Sequence, residues 1–229
     1  MKDLNAWIEF QPNPKVPRLF RSALISEKID GTSSCVIVQP DGTVQAGSKN
    51  RLLTLEQDNF GFCAWVKQHE DELRALGTGL HRGEWWGSGI QRAYGLKNGE
   101  RHFSLFNVSR WNRQIWEENE DARVLHEVRL IAGAKRRAGE WPEGQLPQVT
   151  RREFVPPPPC CEVVPVLSRG VFSSTCVNDC LSRLEGQGSV AMPGYDRPEG
   201  VVVFHEASGT FFKVTLENDE QSKGEQWTH

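Results

Sequence analysis

The chain has 229 residues, 38% hydrophobic and 25% charged with eight tryptophans, an ordinary globular composition with room for a sizeable core in one large domain or two small ones. No apolar run approaches the roughly 18 residues of a membrane span, and Met1-Lys2-Asp3-Leu4-Asn5 opens no apolar signal region; a cytoplasmic protein without membrane partners, in a cell or an infected host, is expected. A formal charge of −3 argues against a globally basic surface that grips phosphate backbones unspecifically, and leaves a local basic cleft as the alternative.

Residues 20–47 alternate and turn like sheet: Cys35-Val36-Ile37-Val38 is β-branched, Pro40-Asp41-Gly42 is a turn, and Val44 and Ala46 alternate after it, which predicts a hairpin. Residues 55–76 predict a helix, because Phe62, Trp65, Val66, His69, Leu73 and Leu76 fall at steps of three and four before Gly77 and Gly79. His69 on that stripe reads as core. Residues 80–86 and 101–108 predict strands joined by the glycine-rich Gly87–Gly99 segment. Residues 112–139 are charge-dense with scattered aliphatics, a surface-facing helix whose Lys135-Arg136-Arg137 end reads as a solvated face, with phosphate contact as the sharper minority reading. Pro156–Pro159 is a stiff connector.

Glu162–Leu167 predicts a strand. Ser173, Ser174 or Thr175 caps a helix through about Leu184, with Val177, Cys180, Leu181 and Leu184 inward. Val201–His205 and Thr210–Leu216 flank Ala207-Ser208-Gly209 as a second hairpin. The sum is α+β, with mainly antiparallel sheets and flanking helices. The six cysteines (35, 63, 160, 161, 176 and 180) include no CxxC pair and read as small buried apolar residues rather than disulfides or zinc ligands.

Chemistry concentrates at Glu27-Lys28-Ile29-Asp30-Gly31. A lysine leaving a strand at an Asp-Gly turn sits near the surface of a sheet, where neighbouring cations or partial desolvation would make it a nucleophile. Alone, K-x-D-G is a short pattern that also fits a simple turn. It is followed in order by Ser48-Lys49-Asn50-Arg51, Gly83-Glu84-Trp85-Trp86-Gly87, Phe103-Ser104-Leu105-Phe106, Pro198-Glu199-Gly200-Val201-Val202-Val203 and Phe211-Phe212-Lys213-Val214.

These six segments resemble, in order, motifs I, Ia, III, IIIa, IV and V of the covalent lysine nucleotidyltransferases. Gly87-Ser88-Gly89-Ile90-Gln91 and Tyr94-Gly95-Leu96 are similar to the ATP-dependent RNA ligase branch, nearest the second bacteriophage type. The resemblance runs from about residue 20 to 216. It implies one adenylyltransferase (ATP-grasp-like) domain over 1–229, a helical insertion at about 112–155, and no C-terminal OB or other appended domain.

The implied activity is ATP-dependent ligation of a 5′-phosphate to a 3′-hydroxyl, RNA favoured, with Mg2+ or Mn2+. Lys28 would carry AMP and Asp30 orient the lysine or a base. Lys213 would contact the α-phosphate. Glu27, Lys28 and Ile29 would contact adenine through this segment, and Lys49 and Arg51 phosphate or sugar. Glu84 would accept from the ribose hydroxyls, and Glu199 would bind metal beside the nucleotide. Phe106, or else Phe103, would stack on adenine, their spacing read as placing both on one strand face.

Two departures stand out. Thr215 occupies the place of a second motif V lysine, for which Lys223 is a distant substitute. Little chain follows motif V, so grip on nucleic acid would be weak, shared with the insertion or supplied by a partner. A DNA or mixed nick ligase, and a degenerate ATP- or nucleic-acid-binding module, are the alternative readings. Arg92, Lys97 and Arg110 are open between nucleic-acid contact and solvent.

Overall fold

Two β-sheets share the chain between them in a computed structural model that describes residues 13, 15–140 and 146–217; Lys223 and the first five residues lie outside this set. Strands β1 (Ser22–Lys28), β2 (Thr32–Val38) and β3 (Val44–Ser48) come first. Helices α1 (Phe62–Gln68) and α2 (Glu70–Leu73) follow, then β4 (Gly79–Gly87) and β5 (Arg101–Leu105). Helices α3 (Val108–Trp111) and α4 (Arg113–Ala138) precede β6 (Glu162–Val163), β7 (Val166–Val171) and α5 (Ser174–Gln187). The hairpin β8 (Gly200–His205) and β9 (Thr210–Thr215) is last. One sheet has the order β7-β1-β8-β9, the other β3-β2-β4-β5-β6. Every pairing is antiparallel except β5 with β6. The α+β, mainly antiparallel architecture is the one the sequence predicts.

Each sheet buries one face against a helix. Phe62, Cys63 and Val66 of α1 pack on Val36, Val38, Ala46, Trp85, Phe103 and Leu105 of the five-stranded sheet. Val177, Cys180 and Leu184 of α5 pack on Ala23, Ile25, Val201 and Val203 of the four-stranded sheet. Helix α5 starts where Ser173 Oγ accepts the Cys176 N–H at 3.1 Å, and it runs a turn past Leu184. A third cluster, including Leu24, Ile29, Trp86, Tyr94 and Val164, joins the sheets. All six cysteines are free, with Cys35, Cys63, Cys161 and Cys180 buried.

Three predicted elements change. The helix expected over 55–76 starts at Phe62, because Gly61 is left-handed (φ 76) and the Asp58 carboxylate takes the N–H groups of Cys63 and Ala64. It breaks at His69, whose ring lies on Trp65. The strand expected over 101–108 ends at Leu105, where Asn107 caps α3 and Asn112 then caps α4. The strand expected over 162–167 is two strands in different sheets. Pro165 lacks the N–H a continuous strand needs, and the chain crosses there.

The segment 112–139 is helical as expected over the 26 residues of α4. Its Glu120 is buried and accepts from Arg123 and from the backbone and side chain of Arg152, which brings the 150–152 stretch back along the helix. Arg169 of β7 then ties Glu118 and Asn119 of α4 to Glu206.

Candidate active site

Strand β1 ends at Lys28 in one sheet and β2 starts at Thr32 in the other, so Ile29-Asp30-Gly31 is a crossing between sheets. Ile29 is buried in the joining cluster. Asp30 gives its N–H to Tyr94 Oη at 2.8 Å and takes the Arg92 Nε–H on its carboxylate at 3.2 Å. The Gly31 N–H reaches Glu84 Oε1 at 3.1 Å. A Cβ on Gly31 would lie 2.5 Å from the Trp85 carbonyl oxygen, so only glycine passes here. Tyr94 pays for its position in backbone strain: it, Gln91 and Ala93 all have positive φ (52°, 44° and 54°). Its ring is held between Trp86 and Tyr195, with centroids 4.9 and 4.7 Å away.

Lys28 pairs in register with Gly200, the first residue of β8, which places Glu199 beside the lysine. Nζ of Lys28 lies 2.5 Å from Glu199 Oε2, and the Glu199 side chain is only 6% exposed. Gly200 itself has φ 152°, and an added Cβ would meet the Val214 carbonyl oxygen at 2.2 Å.

A cleft of about 1060 Å³ opens above this pair, between the two sheets. Strand alternation presents Leu24, Ser26 and Lys28 of β1 to it, with Val202 and Phe204 of β8 and Lys213 of β9. Ser33, Arg82, Glu84 and the Phe106–Trp111 turn face them. Burial pushes the Glu84 carboxyl up to about 7, against the opposing pull of the Lys28 charge and the Gly31 N–H.

The residues singled out in sequence thus separate. Glu27, Lys28, Ile29, Lys49, Glu84, Phe106 and Lys213 line the cleft, and Glu199 reaches it through Lys28. Asp30 lies at the crossing, held by Arg92 and Tyr94. Arg51 is exposed and turned to the Gln57 carbonyl at 2.9 Å, away from the lining. The Glu27 carboxylate is buried and already bound: it accepts from Ser189 Oγ at 2.6 Å and from the Val190 and Ala191 N–H groups at 2.8 and 2.9 Å. Its N–H is taken as well, by the Pro165 carbonyl at 2.9 Å.

Phe103 and Phe106 do not share a face, correcting the reading of their spacing. A strand has period two, so a step of three inverts the side chain. Phe103 is fully buried against Phe62 and Trp65, whereas Phe106, off the strand end, is 38% exposed in the cleft. Arg92 is structural, bonding Asp30, Glu217 and the Arg197 carbonyl, whereas Arg110 bonds the Leu76 carbonyl and also lines the cleft. Lys97 is exposed. Sequence reasoning assigned no role to Tyr94, Ser189 or Arg82. Tyr94 had a signal in its glycine-flanked segment; Ser189, 162 residues from Glu27, had none.

A divalent cation beside a nucleotide needs one or two carboxylates, with phosphate oxygens and water completing the shell. Glu199 and Glu84, both acting on Lys28, fit that donor set. Among the described residues no group of three or more His, Cys, Asp or Glu is placed to hold an ion alone. No described helix is long and apolar enough to cross a membrane.

The crossing lysine and its buried glutamate partner stand on the floor of a cleft between the two sheets. The sequence profile of the RNA ligase family matches residues 21–215, and the chain belongs to that family. No curated protein sequence matches it significantly. Solved structures of an RNA ligase from Naegleria gruberi are similar. A mutant with AMP and Mn has a TM-score of 0.48 at 16% identity, covering 86% of this chain and 50% of that one. The same ligase with pyrophosphate has a TM-score of 0.47 at 18% identity, covering 85% and 49%. A mutant with ATP and Mn has a TM-score of 0.46 at 16% identity, covering 85% and 48%. The chain spans about half the length of these structures.

Proposed function

We propose that the protein is an ATP-dependent RNA ligase that carries AMP on Lys28. The observation that carries this reading is the placement of Lys28 on the cleft floor, paired with buried Glu199 at 2.5 Å, with Glu84, Phe106 and Lys213 around the same space. Lys28 Nζ attacks the α-phosphorus of ATP; a P–N bond forms, the bond to pyrophosphate breaks, and the lysine proton is lost. A strand's 5′-phosphate oxygen then attacks the same phosphorus, breaking P–N and leaving a 5′–5′ pyrophosphate linkage. Finally the 3′-hydroxyl of a second end attacks the 5′-phosphorus, and AMP leaves with the electron pair.

The side chains divide this work. Glu84 accepts from the ribose hydroxyls, Phe106 stacks on adenine, and Lys213 neutralises the charge that gathers on the α-phosphate. Lys49, at the cleft rim, meets phosphate or sugar. Glu199 holds Lys28 in place before ATP arrives and would hold Mg2+ or Mn2+, which neutralises phosphate oxygens when bound. Asp30 orients the crossing from behind. Family membership and the Gly87–Leu96 segment support RNA, rather than DNA, as the strand. A reaction on ATP with reduced cysteines suits the cytoplasm. A partner that adds grip on the strand is part of the same reading, since a formal charge of −3 leaves no globally basic surface.

The test is covalent labelling from ATP radioactive at the α-phosphate, read on a denaturing gel with Mg2+ or Mn2+. The wild type is expected to label and Lys28→Ala to lose the label entirely. No label on wild type freed of bound AMP would leave a non-catalytic nucleotide-binding module as the better reading.

A further inference from the structure

The cleft continues past the space one nucleotide fills. Register sets Ser26 beside Val202 and Leu24 beside Phe204, with Lys213 and Phe211 next on β9. Two rows therefore lead away from Lys28: Val202 with Lys213, then Phe204 with Phe211. Two residues of strand separate the rows by about 7 Å. The rings of Phe204 and Phe211 stack with centroids 4.5 Å and planes 30° apart, yet Phe211 is 65% exposed. Leu80, on the other sheet, lines the same cleft and is 49% exposed. A volume of about 1060 Å³ is at the upper end for sites that take one small molecule, roughly 300–1,000 Å³.

We propose that Phe204 and Phe211 form a second base-stacking subsite, which takes a nucleobase of the RNA strand being joined. The inference rests on the ligase reading above. Two features of the cleft identify the occupant. The aromatic row is continuous with the nucleotide space, and the Lys213 ammonium stands between the rings and Lys28. A cation followed by a stacking platform is the pattern that binds a phosphate and its base, whatever the base. An apolar peptide would have no use for the intervening lysine. The exposed Phe211 ring, backed by the half-buried Phe204, is a binding surface, because burying it against a base gains area that the fold alone leaves in water.

The experiment is fluorescence anisotropy of a labelled single-stranded RNA with a 5′-phosphate, together with strands carrying one abasic residue stepped inward from that end. Wild type, Phe211→Leu and Phe211→Trp are compared, and each is checked for covalent AMP. Phe211→Leu keeps an apolar side chain and removes only stacking, and Phe211→Trp restores it. Phe211→Leu is expected to bind the intact strand about tenfold more weakly while labelling with AMP as wild type does. An abasic residue at one position should weaken wild type to the same degree and Phe211→Leu no further.

Unchanged RNA affinity in Phe211→Leu would overturn the subsite. Loss of AMP labelling in step with RNA binding would overturn it too, assigning the rings to the adenine pocket. A Phe211-dependent dimer by sedimentation, with RNA binding intact, would give the surface to a second copy of the chain. RNA binding is read without turnover, so failure of the ligase reading, seen as no label on wild type, is distinct from each of these.

Discussion

Glu84 is half-buried beside Lys28, and burial outweighs the pull of the lysine charge on its proton. Its carboxyl is raised to about 7 in the folded protein from an ordinary 4.5, first by burial. The folded state therefore binds that proton more tightly than the unfolded chain, and the stability this confers is present at low pH and lost as pH rises to about 7. Glu84→Gln accepts the Gly31 N–H equally but carries no charge. The melting temperature of the variant relative to wild type should climb between pH 4.5 and 7 and then level off. The same variant should bind ATP about tenfold more weakly, since a hydrogen bond to a charged acceptor is worth about 1.5–3 kcal/mol. A flat difference in melting temperature across that range would remove the buried charge from the account. That Lys28 and Glu84 both line one cleft follows the ordered resemblance of their segments, a lysine at an Asp-Gly turn and a carboxylate downstream. Arg51 shows the limit. Its type suited phosphate, but its neighbouring loop offered the Gln57 carbonyl first.

Elements were legible where the period was uninterrupted, and misread where one residue broke it. The hairpins and α5 follow directly from alternation and from the Ser173 cap. Helix α1 was drawn too long because apolar spacing says nothing of Gly61, and β5 because the Asn107 cap sits just beyond the strand. The segment between α5 and β8 carries no periodic signal at all, yet it delivers Glu199 to Lys28. It is fixed at its start by the Glu27 carboxylate on Ser189, Val190 and Ala191 and at its end by the pairing of β8. Glu27→Ala should strand three donors near the core and cost about 1–3 kcal/mol of stability by chemical denaturation. It should also slow AMP labelling and raise the divalent metal needed, because Glu199 is no longer held. Preference among nucleoside triphosphates should stay as in wild type, since the carboxylate faces the loop and not the base. A changed base preference would instead put Glu27 in direct contact with adenine.

At the scale of the molecule, two crossings set the site: Ile29–Gly31 and Val164-Pro165 each carry the chain from one sheet to the other, and the cleft lies between the sheets so joined. Neither could be read from composition, because a crossing is defined by which strands pair, across a separation of 182 residues where Ala23 meets His205 in the β1–β8 ladder. Helix α4 is anchored at its start by Ile115 in the cluster that joins the sheets, and beyond that by charge. Arg123 and then Arg152 hold the Glu120 carboxyl well below the usual range, and Arg169 continues the chain of ion pairs to the four-stranded sheet. A depressed carboxyl contributes stability above its unfolded value near 4.5, and that contribution is lost as pH falls through the folded value. Glu120→Gln should therefore melt below wild type at neutral pH, and the gap should narrow as the pH is lowered past about 4.5. AMP labelling by Lys28 should survive the change, because no residue of this network lines the cleft. Strand sealing that falls while labelling holds would give α4 a part in gripping RNA; a gap in melting temperature that ignores pH would mean that Glu120 acts by packing and not by charge.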